Sequence, residues 1–131
     1  MALIMEWSFS SDRPIYLQIQ EMLKRSIVSG EHPPGGKLPA VRDLALAAAV
    51  NPNTVQKALT ELERVGLVFA QRTSGRYVTE DASVIGKLKN EIAKEIVSEF
   101  MEKITAIGYS AKDVIALIRD RAEEVGAHGD S

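Results

Sequence analysis

The segment His32-Pro33-Pro34-Gly35-Gly36 ends any helix that enters it, because its prolines lack backbone donors and its glycines raise the entropy cost of order. Beyond it the chain breaks into short elements. Residues 41–49 set Val41, Leu44, Ala45 and Ala48 on one face, with Arg42 and Asp43 off it, which predicts a short helix. Asn51 is then a natural N-cap, Pro52 suits the first helical position, and Val55, Ala58, Leu59, Leu62 and Val65 form one stripe. That second helix ends near Gly66. Residues 67–71 and 76–79 are β-prone and are separated by Arg72-Thr73-Ser74-Gly75, which reads as a hairpin turn. Two helices, a tight turn between them and a hairpin after them predict a winged helix-turn-helix.

The flanks are helical too. After Ser11-Asp12-Arg13-Pro14, a helix start with proline in the first turn, Ile15, Ile19, Met22, Leu23 and Ile27 recur at helical spacing up to Gly30. The opening residues 3–9 alternate weakly, as a short strand or an extended arm would. Residues 84–107 predict a long helix and residues 111–125 another, the latter opened by a capping box of Ser110 and Asp113. Residues 127–131 are expected to fray.

Composition removes several classes of function. The 131 residues include no cysteine, so thiolate nucleophiles, disulfides and cysteine-ligated zinc are excluded. His32 and His128 lie far apart with no acidic residues at ligand spacing, so no metal or other cofactor is expected. No G-x-S-x-G, Walker or G-x-G-x-x-G pattern frames a catalytic residue, and an enzyme is not expected. Neither a signal peptide nor a long apolar run is present, so the expected protein is cytoplasmic and does not meet the membrane. The net charge of −2 divides unevenly. Residues 1–80 hold nine Lys/Arg against eight Asp/Glu, or +1, and residues 81–131 hold seven against ten, or −3. A DNA reading must therefore rest on where the charges sit.

On a helical wheel the apolar stripe of the Asn51-capped helix is opposed by Asn53, Gln56, Lys57, Thr60 and Arg64. Glu61 and Glu63 are confined to the C-terminal half. A helix entering the major groove leads with its N-terminal residues, where flanking phosphates repel carboxylates, and Asn and Gln can pair bidentately with adenine. Arg42 stands where it can clamp a phosphate beside a helix N-terminus. Arg72 and Arg76 flank the turn, whose Thr73, Ser74 and Gly75 offer donors to a sugar-phosphate edge, and Lys37 is a weaker addition. A protein-interaction winged helix and a ligand sensor with a dimer groove are the competing classes.

The residues Gly35-Gly36-Lys37-Leu38-Pro39-Ala40-Val41-Arg42-Asp43-Leu44-Ala45, Val50-Asn51-Pro52-Asn53-Thr54-Val55, Gly66-Leu67-Val68 and Ser74-Gly75-Arg76-Tyr77-Val78 resemble the GntR family of winged-helix repressors. The short tail is similar to the YtrA-like subfamily. The resemblance implies a homodimer on a two-fold double-stranded operator and leaves open a small-molecule effector of unknown identity. It assigns DNA contacts to Arg42, to Asn53, Thr54, Gln56 and Lys57, and to Arg72, Thr73, Ser74 and Gly75; Lys37, Asn51 and Arg76 complete the expected set. Three departures stand out. Ala49 replaces a turn glycine, so the turn either avoids positive φ or carries about 1 kcal/mol of strain. Thr73 replaces a wing glycine, and His32 occupies a commonly aliphatic site.

The long helix carries apolar residues over more than half its circumference, among them Leu88, Ile92, Ile96, Phe100 and Ile104. The last helix offers Val114, Ile115, Ile118, Ala122 and Val125. One packing partner cannot cover so much, so a second subunit is expected. The fold class is thus mainly α with a small β-hairpin wing. A winged helix-turn-helix domain is expected over residues 12–80, with helices at 41–65 and the wing at 67–79, and a two-helix C-terminal dimerisation appendage over residues 83–126.

Overall fold

The computed structural model describes residues 7–129, and side chains through residue 126. The element order is α1 (Ile15–Val28), α2 (Val41–Ala48), α3 (Pro52–Arg64), β1 (Val68–Gln71), β2 (Gly75–Val78), α4 (Ala82–Ala106) and α5 (Ala111–Gly129). The chain divides into two compact units at Ile92 and Ala93, within α4. Of the arm expected at residues 3–9, residues 3–6 lie outside the described residues; Trp7 and Phe9 form no strand and pack against the core. Of the end expected to fray, residues 127–129 continue α5 and residues 130–131 lie outside the described residues.

In the first unit the apolar stripes meet. Ile19, Leu23 and Ile27 of α1, Leu44 of α2 and Val55, Ala58, Leu59 and Leu62 of α3 are buried together with Leu67, Val68 and Val78 of the hairpin region. Burying a Leu or Ile side chain of this kind contributes roughly 1.5–3 kcal/mol, which is why three short helices hold without disulfides. The entry to α1 differs from expectation. Pro14 is the N-cap residue and carries no side-chain cap, and buried Gln18 fixes the approach instead. Its Nε2 donates to the Ser10 and Arg13 carbonyls at 2.9 Å each, and its Oε1 accepts from the Ser10 amide at 2.8 Å.

Three helices end the same way. The amide of Val50 donates to the Ala45 carbonyl at 3.0 Å, that of Leu67 to Leu62 at 3.0 Å, and that of Tyr109 to Ile104 at 3.3 Å. Each of these closures requires the preceding residue to be left-handed. Gly66 and Gly108 supply that conformation at φ +82° and +101° without a Cβ penalty, whereas Ala49 supplies it at φ +58°. The turn between α2 and α3 therefore adopts positive φ and keeps the strain.

The linker before α2 is more ordered than its composition suggests. Gly35 donates to the Val78 carbonyl, Val78 to Gly36 and Leu38 to Arg76, each at 2.9 Å, so residues 35–38 pair with β2 along the side away from β1. His32 is buried at 3% exposure. Ser26 Oγ donates to the Leu23 carbonyl at 2.6 Å and lies 2.8 Å from His32 Nδ1, so that nitrogen carries the proton that Ser26 accepts.

The first turns of α4 belong to this unit. Leu88 is only 8% exposed within the core cluster, and Ile92 is partly buried against it. Of these two positions, both expected in a dimer surface, Leu88 is drawn into the chain's own core and Ile92 packs partly against it. The second unit is different. Val114 is buried, but Ile96, Val97, Phe100, Ile107, Ile115 and Ile118 are exposed, and Ile104 is partly buried. Ser110 and Asp113 form the expected reciprocal box, each backbone amide donating to the other's side-chain oxygen at 3.1 Å.

Candidate nucleic-acid interface

The outward face of α3 follows from its buried one. With Val55, Ala58, Leu59 and Leu62 sealed in the core, residues Asn53, Gln56, Lys57, Thr60 and Arg64 are exposed, and Thr54 is partly buried at the edge. Asn51 acts locally. Its Oδ1 accepts from the Asn53 amide at 2.7 Å, capping the N-terminus of α3.

The helix is free of uncompensated negative charge on its flank. The Glu61 carboxylate accepts from Arg64 Nε at 2.9 Å, and this hydrogen bonding holds its pKa below the usual carboxylate range. Glu63 meets Arg76 of β2, with Arg76 Nε donating to Glu63 Oε2 at 2.8 Å. These side chains are 18% and 28% exposed, Arg76 first, so the pair is sheltered enough to brace the hairpin against α3. Arg76, expected among the DNA contacts, is thus occupied first with holding the wing.

At the other end of the surface, Lys37, Ser74, Gly75 and Arg76 line a cleft of about 270 Å³ with residues 38–41. The cleft abuts the start of α2, where Ala40 provides no side-chain cap and Arg42 sits in the first turn. Uncapped helix N-terminal amides and adjacent cations are the elements of an anion site. Arg72 and Thr73 are exposed at the hairpin turn and do not line the cleft. Among the described residues Lys37, Arg42 and Arg72 form no ion pair.

Two contributors leave no mark in the sequence pattern. On the helical wheel Glu63 is only a marginal carboxylate, whereas in the fold it anchors the wing, and Tyr16 of α1 places its ring 3.9 Å from the Lys57 ammonium. Neither pairing has a periodic signature, since each joins residues distant in the chain. No group of His, Asp and Glu able to hold a metal ion gathers among the described residues, and no described helix is long and apolar enough to cross a membrane.

This architecture has known counterparts. Residues 15–78 match the family described as "Bacterial regulatory proteins, gntR family". The uncharacterized HTH-type transcriptional regulator YhcF of Bacillus subtilis is 34% identical over 119 residues, spanning 91% of this chain and 98% of that protein. The HTH-type transcriptional repressor YtrA of the same organism is 47% identical over 72 residues, 55% of either chain. A GntR family transcriptional regulator from Listeria monocytogenes superposes with a TM-score of 0.77 at 37% identity, covering 86% of this chain and 98% of that one. The AraR DNA-binding domain, solved in complex with operator ORE1, aligns with a TM-score of 0.50 at 26% identity over 58% of this chain and 95% of that one. With a helix-turn-helix, a hairpin wing and a two-helix tail matched along nearly the full length of such relatives, the chain belongs to the GntR family of bacterial transcriptional regulators.

Proposed function

We propose that this regulator is a sequence-specific repressor that binds a two-fold operator as a homodimer, with α3 as its recognition helix. The observation that carries the reading is the face of α3. Its exposed face presents Asn53, Gln56 and Lys57 in the N-terminal half and Thr60 beyond them, with no carboxylate before Glu61, and its two glutamates are both paired with arginines. Asn53 and Gln56 have the donor-acceptor pairs that read adenine edges, a pairing worth roughly 1–3 kcal/mol of discrimination. Arg42, Lys37 and the α2 N-terminus hold phosphates on one side, and Arg72, Thr73 and Ser74 touch backbone on the other. The AraR DNA-binding domain holds operator ORE1 with a related fold, which supports the same use of the fold here.

Dimerisation rests on the second unit. Its exposed Ile96, Phe100, Ile115 and Ile118 form more apolar surface than a soluble monomer ordinarily leaves uncovered. Two copies joined there would set two recognition helices about 34 Å apart, one helical turn of DNA, and occupancy would exclude polymerase by sterics.

Selection of duplex fragments by the purified protein tests the reading. A two-fold consensus with salt-dependent affinity is expected; no enrichment over random sequence would overturn it. Within that assay Arg42→Ala should weaken all sequences alike and reduce the slope of log affinity against log salt by about 1. Gln56→Ala should instead relax preference at particular base pairs. An unchanged consensus would show that the assignment of the α3 face is wrong.

A further inference from the structure

The residue that links the body of the domain to its reading surface is Tyr16. It lies in the first turn of α1, three residues before Ile19, which is fully buried against the core that α3 also joins. Tyr16 is itself partly buried. Its ring face receives the Lys57 ammonium at 3.9 Å from the centroid, well inside the range of a cation–π contact. Lys57 directly precedes buried Ala58, so its stem leaves α3 at the border between the core stripe and the exposed face. The carboxylate that would otherwise draw it along the helix, Glu61 one turn on, is held by Arg64. Lys57 is therefore aimed by a ring on a different helix.

From this juxtaposition we infer that Tyr16 is a positioning residue for DNA binding: its ring holds the Lys57 ammonium at the edge of the recognition helix, ready for a backbone phosphate. This inference rests on the DNA-binding reading. A lysine side chain has several rotatable bonds, and ordering it on binding opposes association. A ring that orders it beforehand removes part of that opposition, while the ammonium keeps N–H donors pointing away from the ring. The π face also tolerates the cation without neutralising it, unlike a carboxylate.

The test combines binding and spectroscopy on the full chain. Tyr16→Leu should weaken operator binding about three- to fivefold, the range set by a partly exposed cation–π contact. Tyr16→Phe, which keeps the ring and removes the hydroxyl, should bind like the unsubstituted protein. In a Lys57→Met background the Tyr16→Leu change should have no further effect on affinity. The Lys57 side-chain methylenes should show upfield ring-current shifts by NMR in the unsubstituted and Phe forms, and lose them in the Leu form. Equal losses for Tyr16→Phe and Tyr16→Leu would mean that the hydroxyl acts directly and would overturn the inference. So would a loss that persists without Lys57, which marks a structural role, or the absence of ring-current shifts. Absent ring-current shifts with DNA binding intact overturn the role of Tyr16 alone. Absence of salt-dependent duplex binding by the unsubstituted protein overturns the repressor reading and this inference with it.

Discussion

The two units of this regulator finish their apolar surface to different degrees. In the first, the stripes of α1, α2 and α3, the hairpin and the opening of α4 close on one another, with Ile19, Leu23, Leu44, Val55, Ala58 and Leu62 at 0% exposure. In the second, Val114 is buried at 2%, while Val97, Ile107, Ile115, Ile118 and Val125 each remain more than half exposed at 57%, 73%, 51%, 53% and 52%. Both units have amphipathic helices, so helix formation does not explain the contrast. The difference is whether the chain supplies its own partner surface. The first unit encloses a shared core, whereas the second leaves several large apolar side chains exposed.

The largest effect should separate the units by stability. Leu59→Ala opens a cavity in the closed core and should cost about 3 kcal/mol in urea unfolding. An equal loss from Ile118→Ala would erase the contrast. Next, Phe100→Asp should leave the circular dichroism of the helices in place and raise the dimer dissociation constant by about 100-fold in sedimentation, since a carboxylate cannot be buried unpaired. Unchanged association would place the dimer contact elsewhere.

Smaller effects probe how each unit ends and begins its helices. Ala49→Gly should stabilise the first unit by up to about 1 kcal/mol, relief of left-handed strain being partly offset by the entropy of glycine in the unfolded chain. A destabilisation on thermal melting would mean that the Ala49 methyl packs more than it strains. The smallest effect belongs to Asp113. Its hydrogen bonds to Ser110 lower its pKa, backbone contact first. A folded pKa below the unfolded value means that the contribution is fully present above about pH 4 and is lost as acid protonates the folded group. Asp81, lowered by Ser83 at the start of α4, follows the same sign. Asp113→Asn should flatten this acid-side loss of helicity; an unaltered profile below pH 4 would remove the box from the account.

Much of the architecture was legible because it depends on neighbours along the chain. Helical spacing identified the buried side of α3 and hence the exposed Asn53, Gln56 and Lys57, and Asn51 and Ser110 announced their caps through local chemistry. The hairpin strands followed from β-prone runs about a short turn, and the second strand begins one residue earlier than expected, with Gly75 paired to Gln71. Arg42 and the turn residues were singled out by their charge and place in the pattern, and resemblance to a family added Thr54.

The tertiary structure alone decided the matters that involve residues brought together from afar. Local pattern shows that Leu88 is apolar, and not that the winged-helix core already covers it. It shows that Ala49 departs from glycine, and not that the turn accepts φ +58° to keep the Val50–Ala45 hydrogen bond. The strand-like pairing of residues 35–38, the Gln18 clamp, the Arg76–Glu63 brace and the ring beneath Lys57 all join segments that share no periodicity. Sequence determines which face each helix must hide, because periodicity is a property of the helix itself. Packing determines what each face meets, because that depends on chain closure and on which polar groups must be satisfied once they are out of water.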